Sequence, residues 1–153
     1  MLFRSKSTLP EGATVIPCVW NMRHKRRLKS QEVYKWKAHL ALDGSKQCKG
    51  KDYWETYAPV ASWPAIRWIL LAAIINGWFS CQLNYVMAYT QALPVKDGTF
   101  IAIPKGFEVD GVDDPENYVL EVMKNLYGGC DAGRAWYQHL VDRLLAEIGR
   151  AHV

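Results

Sequence analysis

The chain has 153 residues, half of them apolar, which suits one domain with a hydrophobic core and excludes a disordered chain. Residues 1–51 contain twelve Lys and Arg against three Asp and Glu, a balance of +9, whereas residues 52–153 contain seven against twelve, a balance of −5. The basic first third predicts a polyanionic partner, with a solvated basic face as the alternative.

The cysteines are widely spaced, which does not match a zinc-binding pattern and does not require disulfides. A signal peptide is not evident, and the longest apolar run is shorter than the roughly 20 residues that span a bilayer. We therefore expect no membrane partner and an intracellular location, in the cytoplasm or the nucleus.

A β-hairpin is predicted in the first third, after a flexible tail at residues 1–13. Its strands cover residues 15–23 and 33–42 and are joined by a basic connector at residues 23–30. Alternation in the second strand is typical of a half-buried strand. Its apolar face holds Tyr34, Trp36, Ala38, Leu40 and Leu42, and its cationic face holds Lys35, Lys37 and His39.

Helices and short strands are predicted in the remaining chain. Ser62 caps a helix that ends at Gly77, and because this helix is apolar nearly all round, we expect it to be buried on more than one side. A buried strand is predicted at residues 82–89, and shorter strands at residues 100–103 and 118–122. An acidic loop at 108–117 and an amphipathic helix closed by Gly149 complete the pattern.

Five motifs occur in a specific order. They are YWETYAPV at 53–60, QLNYVMAY at 82–89, IPKGF at 103–107, LYG at 126–128 and AGRAWY at 132–137. In order and spacing this set resembles the reverse transcriptase domain of copia-type retrotransposons, from about residue 9 to residue 149. The resemblance implies an α/β (α+β) fold, with a polymerase fingers β-hairpin at about 14–62 and a partial palm sheet backed by helices at about 63–149. Residues 150–153 would form a second tail.

The resemblance implies RNA-directed DNA polymerisation, in which aspartates hold two Mg²⁺ ions that stabilise the attacking and leaving oxygens. The first family aspartate is replaced by Asn84, which has no negative charge, and the 153 residues contain no Tyr-x-Asp-Asp box. We therefore expect an inactive, fragmentary copy of a nucleotidyltransferase that retains no metal. Two alternatives stay open: a non-catalytic nucleic-acid-binding module, or a transposon remnant without function.

The resemblance also implies binding residues. Those expected to meet the incoming nucleotide are Lys35, Lys37, His39, Tyr89, Tyr127 and Gly128. Those expected to meet an RNA or DNA template-primer are Arg23, Lys25, Arg26, Arg27 and Lys29. Tyr89 holds the family position that crowds the sugar 2′ position of a deoxynucleotide triphosphate, with a core tyrosine as the alternative. His39 stands where the family commonly has Arg, which weakens the charge there at pH 7.

Overall fold

The structure is a computed structural model that describes residues 2–92, 98–107, 111 and 114–150, with side chains as far as residue 147. In these ranges the chain contains six strands and three α-helices, which confirms the predicted α/β class. They are β1 (Leu2–Ser5), β2 (Val15–Ile16), β3 (Cys18–Arg26), β4 (Val33–Leu42), α1 (Trp63–Asn76), α2 (Ala88–Gln91), β5 (Phe100–Ala102), β6 (Tyr118–Glu121) and α3 (Ala132–Arg150). Short 3-10 turns cover Lys6–Thr8, Gly44–Lys46 and Pro115–Asn117.

Two sheets organise the fold. The first has the strand order β1-β6-β5-β2, with β1 and β5 antiparallel to β6 and β2 parallel to β5; the second is the β3-β4 hairpin. The core lies where the first sheet meets the base of the hairpin, and its members are Ile16, Leu42, Ile101, Leu120 and Val122. Burial of these branched side chains holds the hairpin base against the sheet.

The predicted tail at residues 1–13 is wrong for its first residues, because β1 pairs with β6 from Leu2 opposite Glu121 to Ser5 opposite Tyr118. Arg4 Nε also contacts Glu121 Oε2 at 2.8 Å. The four-residue strand is short and mostly exposed, so its sequence lacks the alternation that identifies longer strands. It acts as an edge strand of the first sheet.

The hairpin is confirmed, with altered limits. Pro17 separates β2 from β3, so the predicted first strand is divided between the two sheets. Strand β3 continues to Arg26, which shortens the basic connector to residues 27–32. Within that connector the backbone amides of Arg27 and Gln31 donate to the carbonyls of Glu32 and Arg27, each at 3.0 Å.

Helix α1 has the predicted ends but not the predicted burial. Ser62 Oγ accepts the backbone N–H of Ala65 at 3.4 Å, and Gly77 closes the helix with a φ of +64°. Yet Ala73 is the only buried residue of α1. The large exposed side chains are Trp63, Trp68, Ile69, Leu70, Leu71, Ile74 and Ile75. The expectation of burial on several sides is therefore wrong, because the described part of the chain supplies no element that covers this helix.

The predicted buried strand at residues 82–89 is also wrong. Residues 81–85 are neither helix nor strand, and α2 begins at Ala88. Leu83 and Val86 are 72% and 71% exposed, so neither is buried, although the Tyr85 ring lies 5.1 Å from that of Trp136. Strands β1, β6, β5 and β2 fill the first sheet without this segment, which leaves it no ladder partner in the described ranges.

The remaining elements follow the predictions. Strands β5 and β6 lie within the two predicted segments, and α3 covers the predicted amphipathic helix but continues one residue past Gly149. The last three residues and half of the acidic loop lie outside the described residues. The division into fingers and palm stays a prediction, although the first sheet draws strands from both sides of residue 62.

Candidate nucleotide and nucleic-acid interface

One face of the β3-β4 ribbon is cationic. Arg23 lies directly opposite Lys37, and Lys25 lies directly opposite Lys35, so four positive charges form two cross-strand pairs on one face. His39 continues the same face toward the hairpin base. We call these five residues the cationic face. The sequence-predicted residues of the two strands are thus brought together.

Like charges directly opposite each other on a sheet destabilise it. No described carboxylate forms an ion pair with Arg23, Lys25, Lys35 or Lys37, whereas Arg4 pairs with Glu121 and Arg134 with Glu55. The cationic face therefore has uncompensated positive charge and is arranged to attract an anion.

A cavity of about 310 Å³ lies at the base of the cationic face. Its lining residues are Asn21, Arg23, Lys37, His39, Ala41 and Tyr127. Asn21 Oδ1 accepts the Nε–H of Arg23 at 3.3 Å, which holds the guanidinium beside the opening. Arg23 and Lys37 make the cavity suitable for an anionic group. Its volume is near the lower end of the range for ligand pockets, about 300–1,000 Å³, so the rest of a larger ligand would extend outside it.

Tyr127 closes the cavity from a different part of the chain. Its ring meets the His39 ring edge-on, with centroids 5.7 Å apart and planes at 89°. The turn that carries Tyr127 is fixed to the hairpin, because the backbone N–H of Leu42 donates to the Tyr127 carbonyl at 2.7 Å. The turn thereby holds an aromatic ring over the cationic face.

Gly128 makes this approach possible. Its φ is +84°, which favours glycine, and a Cβ at this position would overlap the carbonyl oxygen of Leu42. Gly44 faces the same junction, where a Cβ would overlap the carbonyl oxygen of Gly128. The predicted site residue Gly128 therefore has a steric role at the hairpin base.

Tyr89 is brought to the same group of rings. It lies in α2, is half-buried, and its ring centroid is 4.9 Å from that of Tyr127. The rings of Tyr89, Tyr127 and His39 are therefore in successive contact, and Tyr127 and His39 line the cavity. Its predicted role toward a sugar 2′ position stays a prediction.

The other predicted cations lie farther along the ribbon. Arg26 ends β3, and Arg27 and Lys29 are in the exposed turn at the tip. Arg26 Nη1 donates to the Gln31 carbonyl at 3.0 Å, so one of these cations helps to order the turn. The three extend the positive charge away from the cavity.

Asn84 is not among the residues that line the cavity, and it is exposed in a segment without helix or strand. Its side chain offers one neutral oxygen, whereas Mg²⁺ prefers carboxylates. Among the described residues, no group of three or more His, Cys, Asp or Glu could hold a metal ion. The residues at this position do not fit a two-metal centre, and the expectation that no metal is retained stays a prediction.

Two features were not predicted from the sequence. Asn21 and Ala41 line the cavity, and their alternation with Arg23 and His39 in the two strands is the signal that could have identified them. The Trp20 indole donates to the Lys105 carbonyl at 3.0 Å and ties the hairpin base to the loop after β5. Such a contact across 85 residues leaves no local pattern in the sequence.

The described part of the chain contains no helix long and apolar enough to cross a membrane.

The described fold is a mixed sheet that carries a projecting cationic ribbon, with a tyrosine turn against its base. The family model described as reverse transcriptase (RNA-dependent DNA polymerase) matches residues 5–151. The chain therefore belongs to the reverse transcriptase family, and the predicted copia-type relationship is confirmed.

Curated relatives agree with this assignment. The chain is 35% and 34% identical over 136 residues to the retrovirus-related Pol polyproteins from transposons RE1 and RE2 of Arabidopsis thaliana. It is 32% identical over 129 residues to the corresponding polyprotein from transposon TNT 1-94 of Nicotiana tabacum. These matches cover 89%, 89% and 84% of this chain but 9% of each relative. No solved structure matches the chain significantly.

Proposed function

We propose that the cationic face and its cavity bind the phosphates of nucleic-acid strands and nucleotides, and that the chain does not polymerise DNA. The observation that carries the proposal is the presence of two like-charged cross-strand pairs, Arg23 opposite Lys37 and Lys25 opposite Lys35. Such an arrangement is unfavourable in the free protein and becomes favourable when phosphates lie over it.

The ligand is an RNA or DNA template-primer along the ribbon, with the triphosphate of a deoxynucleotide at the cavity. Tyr127 and Tyr89 support this assignment, because Tyr127 lines the cavity and its ring contacts that of Tyr89. An intracellular location, in the cytoplasm or nucleus, belongs to the same proposal. The relatives are named as transposon Pol polyproteins, and the activity of those longer proteins comes to this chain only as a proposal.

Polymerisation is excluded from the proposal because Asn84 supplies no negative charge for a metal ion. The competing hypothesis is a transposon remnant without any function. The two hypotheses differ in one measurable respect: a remnant without function need not bind nucleic acid through the cationic face.

Binding of labelled oligonucleotides at several salt concentrations tests the proposal. We expect weak binding with little sequence dependence and a steep loss of affinity between about 50 and 200 mM salt, because phosphate contacts release counterions. Lys35→Glu with Lys37→Glu should weaken binding and flatten the salt slope. Arg67→Glu with Arg143→Glu changes the charge equally on exposed residues of α1 and α3, and it should have a much smaller effect. Absence of binding by the unmodified chain at low salt would refute the proposal and favour the remnant.

A further inference from the structure

The opposite face of the ribbon is apolar and open. Met22 lies opposite Ala38, and His24 lies opposite Trp36, so these four residues form one surface, which we call the aromatic face. Trp36 is 77% exposed and Met22 71% exposed. The His24 and Trp36 rings lie 5.5 Å apart and are tilted by 56°.

The contacts of the ribbon stop short of this surface. Trp20, nearer the base, is anchored through its indole to the Lys105 carbonyl. Beyond Trp20, no described element packs on the aromatic face, and Tyr34, the next aromatic of β4 toward the tip, is 56% exposed. The large, flat Trp36 indole is therefore exposed to solvent on the two-stranded ribbon.

The charge around the aromatic face indicates which class of ligand it binds. Residues 18–42 contain seven Lys and Arg and one acidic residue, Glu32. Because the ribbon is only one sheet thick, the indole on one face is surrounded by cations on the other face and at the tip. A strand of nucleic acid can place phosphates on these cations while its bases reach the indole.

We propose that Trp36 is a stacking platform for unpaired bases of a single-stranded RNA or DNA segment. This site is separate from the cationic face, and the inference rests on the proposed phosphate binding for its electrostatic part. Paired bases in a duplex are already stacked and present phosphates outward, whereas splayed bases offer a free ring face to an aromatic side chain. Stacking of this kind tolerates any base sequence.

The decisive comparison uses two oligomers of equal length and charge, oligo-dT and an abasic oligomer, with affinities measured by fluorescence anisotropy at low salt. The unmodified chain should bind oligo-dT at least about fivefold more tightly than the abasic oligomer. Trp36→Ala should remove this preference without changing affinity for the abasic oligomer, and Trp36→Phe should retain part of it. Trp63→Ala, which removes a 73% exposed tryptophan from α1, is the matched control and should keep the full preference.

The outcomes separate the inference from the proposed function. Equal affinity of the unmodified chain for both oligomers would overturn the stacking site and leave phosphate binding intact. Binding of neither oligomer would overturn both. A change in oligomeric mass on Trp36→Ala, measured by analytical ultracentrifugation, with an unchanged dT preference would show that this face joins copies of the chain, which also overturns the inference.

Discussion

The backbone amide of Leu42, the last residue of β4, donates a 2.7 Å hydrogen bond to the carbonyl oxygen of Tyr127. This one contact joins the cationic ribbon to the turn before α3. Since His39 lies three residues before Leu42 and its ring meets that of Tyr127, the hydrogen bond sets the geometry at the cavity mouth.

The first prediction concerns the glycine next to this contact. Gly128→Ala should lower the free energy of unfolding more than Gly50→Ala, although both residues have a φ of +84°. The left-handed backbone costs both variants about 1–2 kcal/mol. Only Gly128→Ala adds overlap with Leu42, which costs roughly 1–3 kcal/mol more. Urea unfolding of the two variants measures the difference, and equal losses would show that the close approach does not constrain the turn.

The second prediction concerns the like-charged pairs. Lys35→Thr removes repulsion with Lys25 and places a good strand former in β4, so it should raise the free energy of unfolding by about 0.2–1 kcal/mol at low salt. The same change should weaken oligonucleotide binding, because one phosphate contact is lost. Arg143→Thr on α3 is the comparison for loss of a charge away from the ribbon. A stability that does not change with Lys35→Thr would mean that the repulsion is already screened.

A third prediction concerns catalysis. Primer extension on an RNA template with Mg²⁺ or Mn²⁺ should give no product from the unmodified chain. Asn84→Asp should give none either, because one carboxylate in an exposed segment cannot hold two metal ions. Product from the Asn84→Asp variant would show that other residues complete a metal site, and product from the unmodified chain would contradict the proposed loss of activity directly.

The fourth prediction follows from Cys18. Burial raises the pKa of the Cys18 thiol above its ordinary value of 9.0, so the folded state holds this proton more firmly than the unfolded state. The stabilisation is therefore complete below about pH 9 and is lost as the pH rises through the folded-state pKa. From about pH 8 to pH 10, the unmodified chain should lose more stability than Cys18→Ala. Cys48→Ala removes an exposed thiol and should follow the unmodified chain.

Local pattern was sufficient for the hairpin and for the last helix. Alternation over ten residues in β4 identified both its limits and its two faces, because successive side chains of a strand point to opposite faces. Ser62 and Gly77 likewise marked the ends of α1, since capping depends on residues within one turn.

Burial was less predictable than secondary structure. The sequence of α1 and the alternation of Leu83 and Tyr85 both indicate apolar surroundings, yet both segments are exposed. A sequence pattern indicates the environment that a side chain favours, whereas burial requires a second element that packs against it. The sheet formed instead from β1, a segment with no alternation, because it could pair with the free edge of β6.

The candidate site was predictable where it lies on the ribbon and less so elsewhere. Lys35, Lys37 and His39 share a face by alternation alone. Tyr127 and Tyr89 came from family resemblance, since their contact joins α2 to a turn 38 residues farther along the chain. The approach of Tyr127 to the cavity depends on the packing of Gly128 against Leu42, which no local pattern contains.

Helix α1 has a thermodynamic consequence. A molecule that covers its exposed indole and isobutyl groups binds the folded state and not the unfolded one, so it raises the apparent stability in proportion to the logarithm of its concentration. The melting temperature of this chain is then a function of what surrounds it, including detergents, other proteins and its own concentration. Stability measured on a dilute sample is therefore a lower limit for the same fold with a ligand bound over α1.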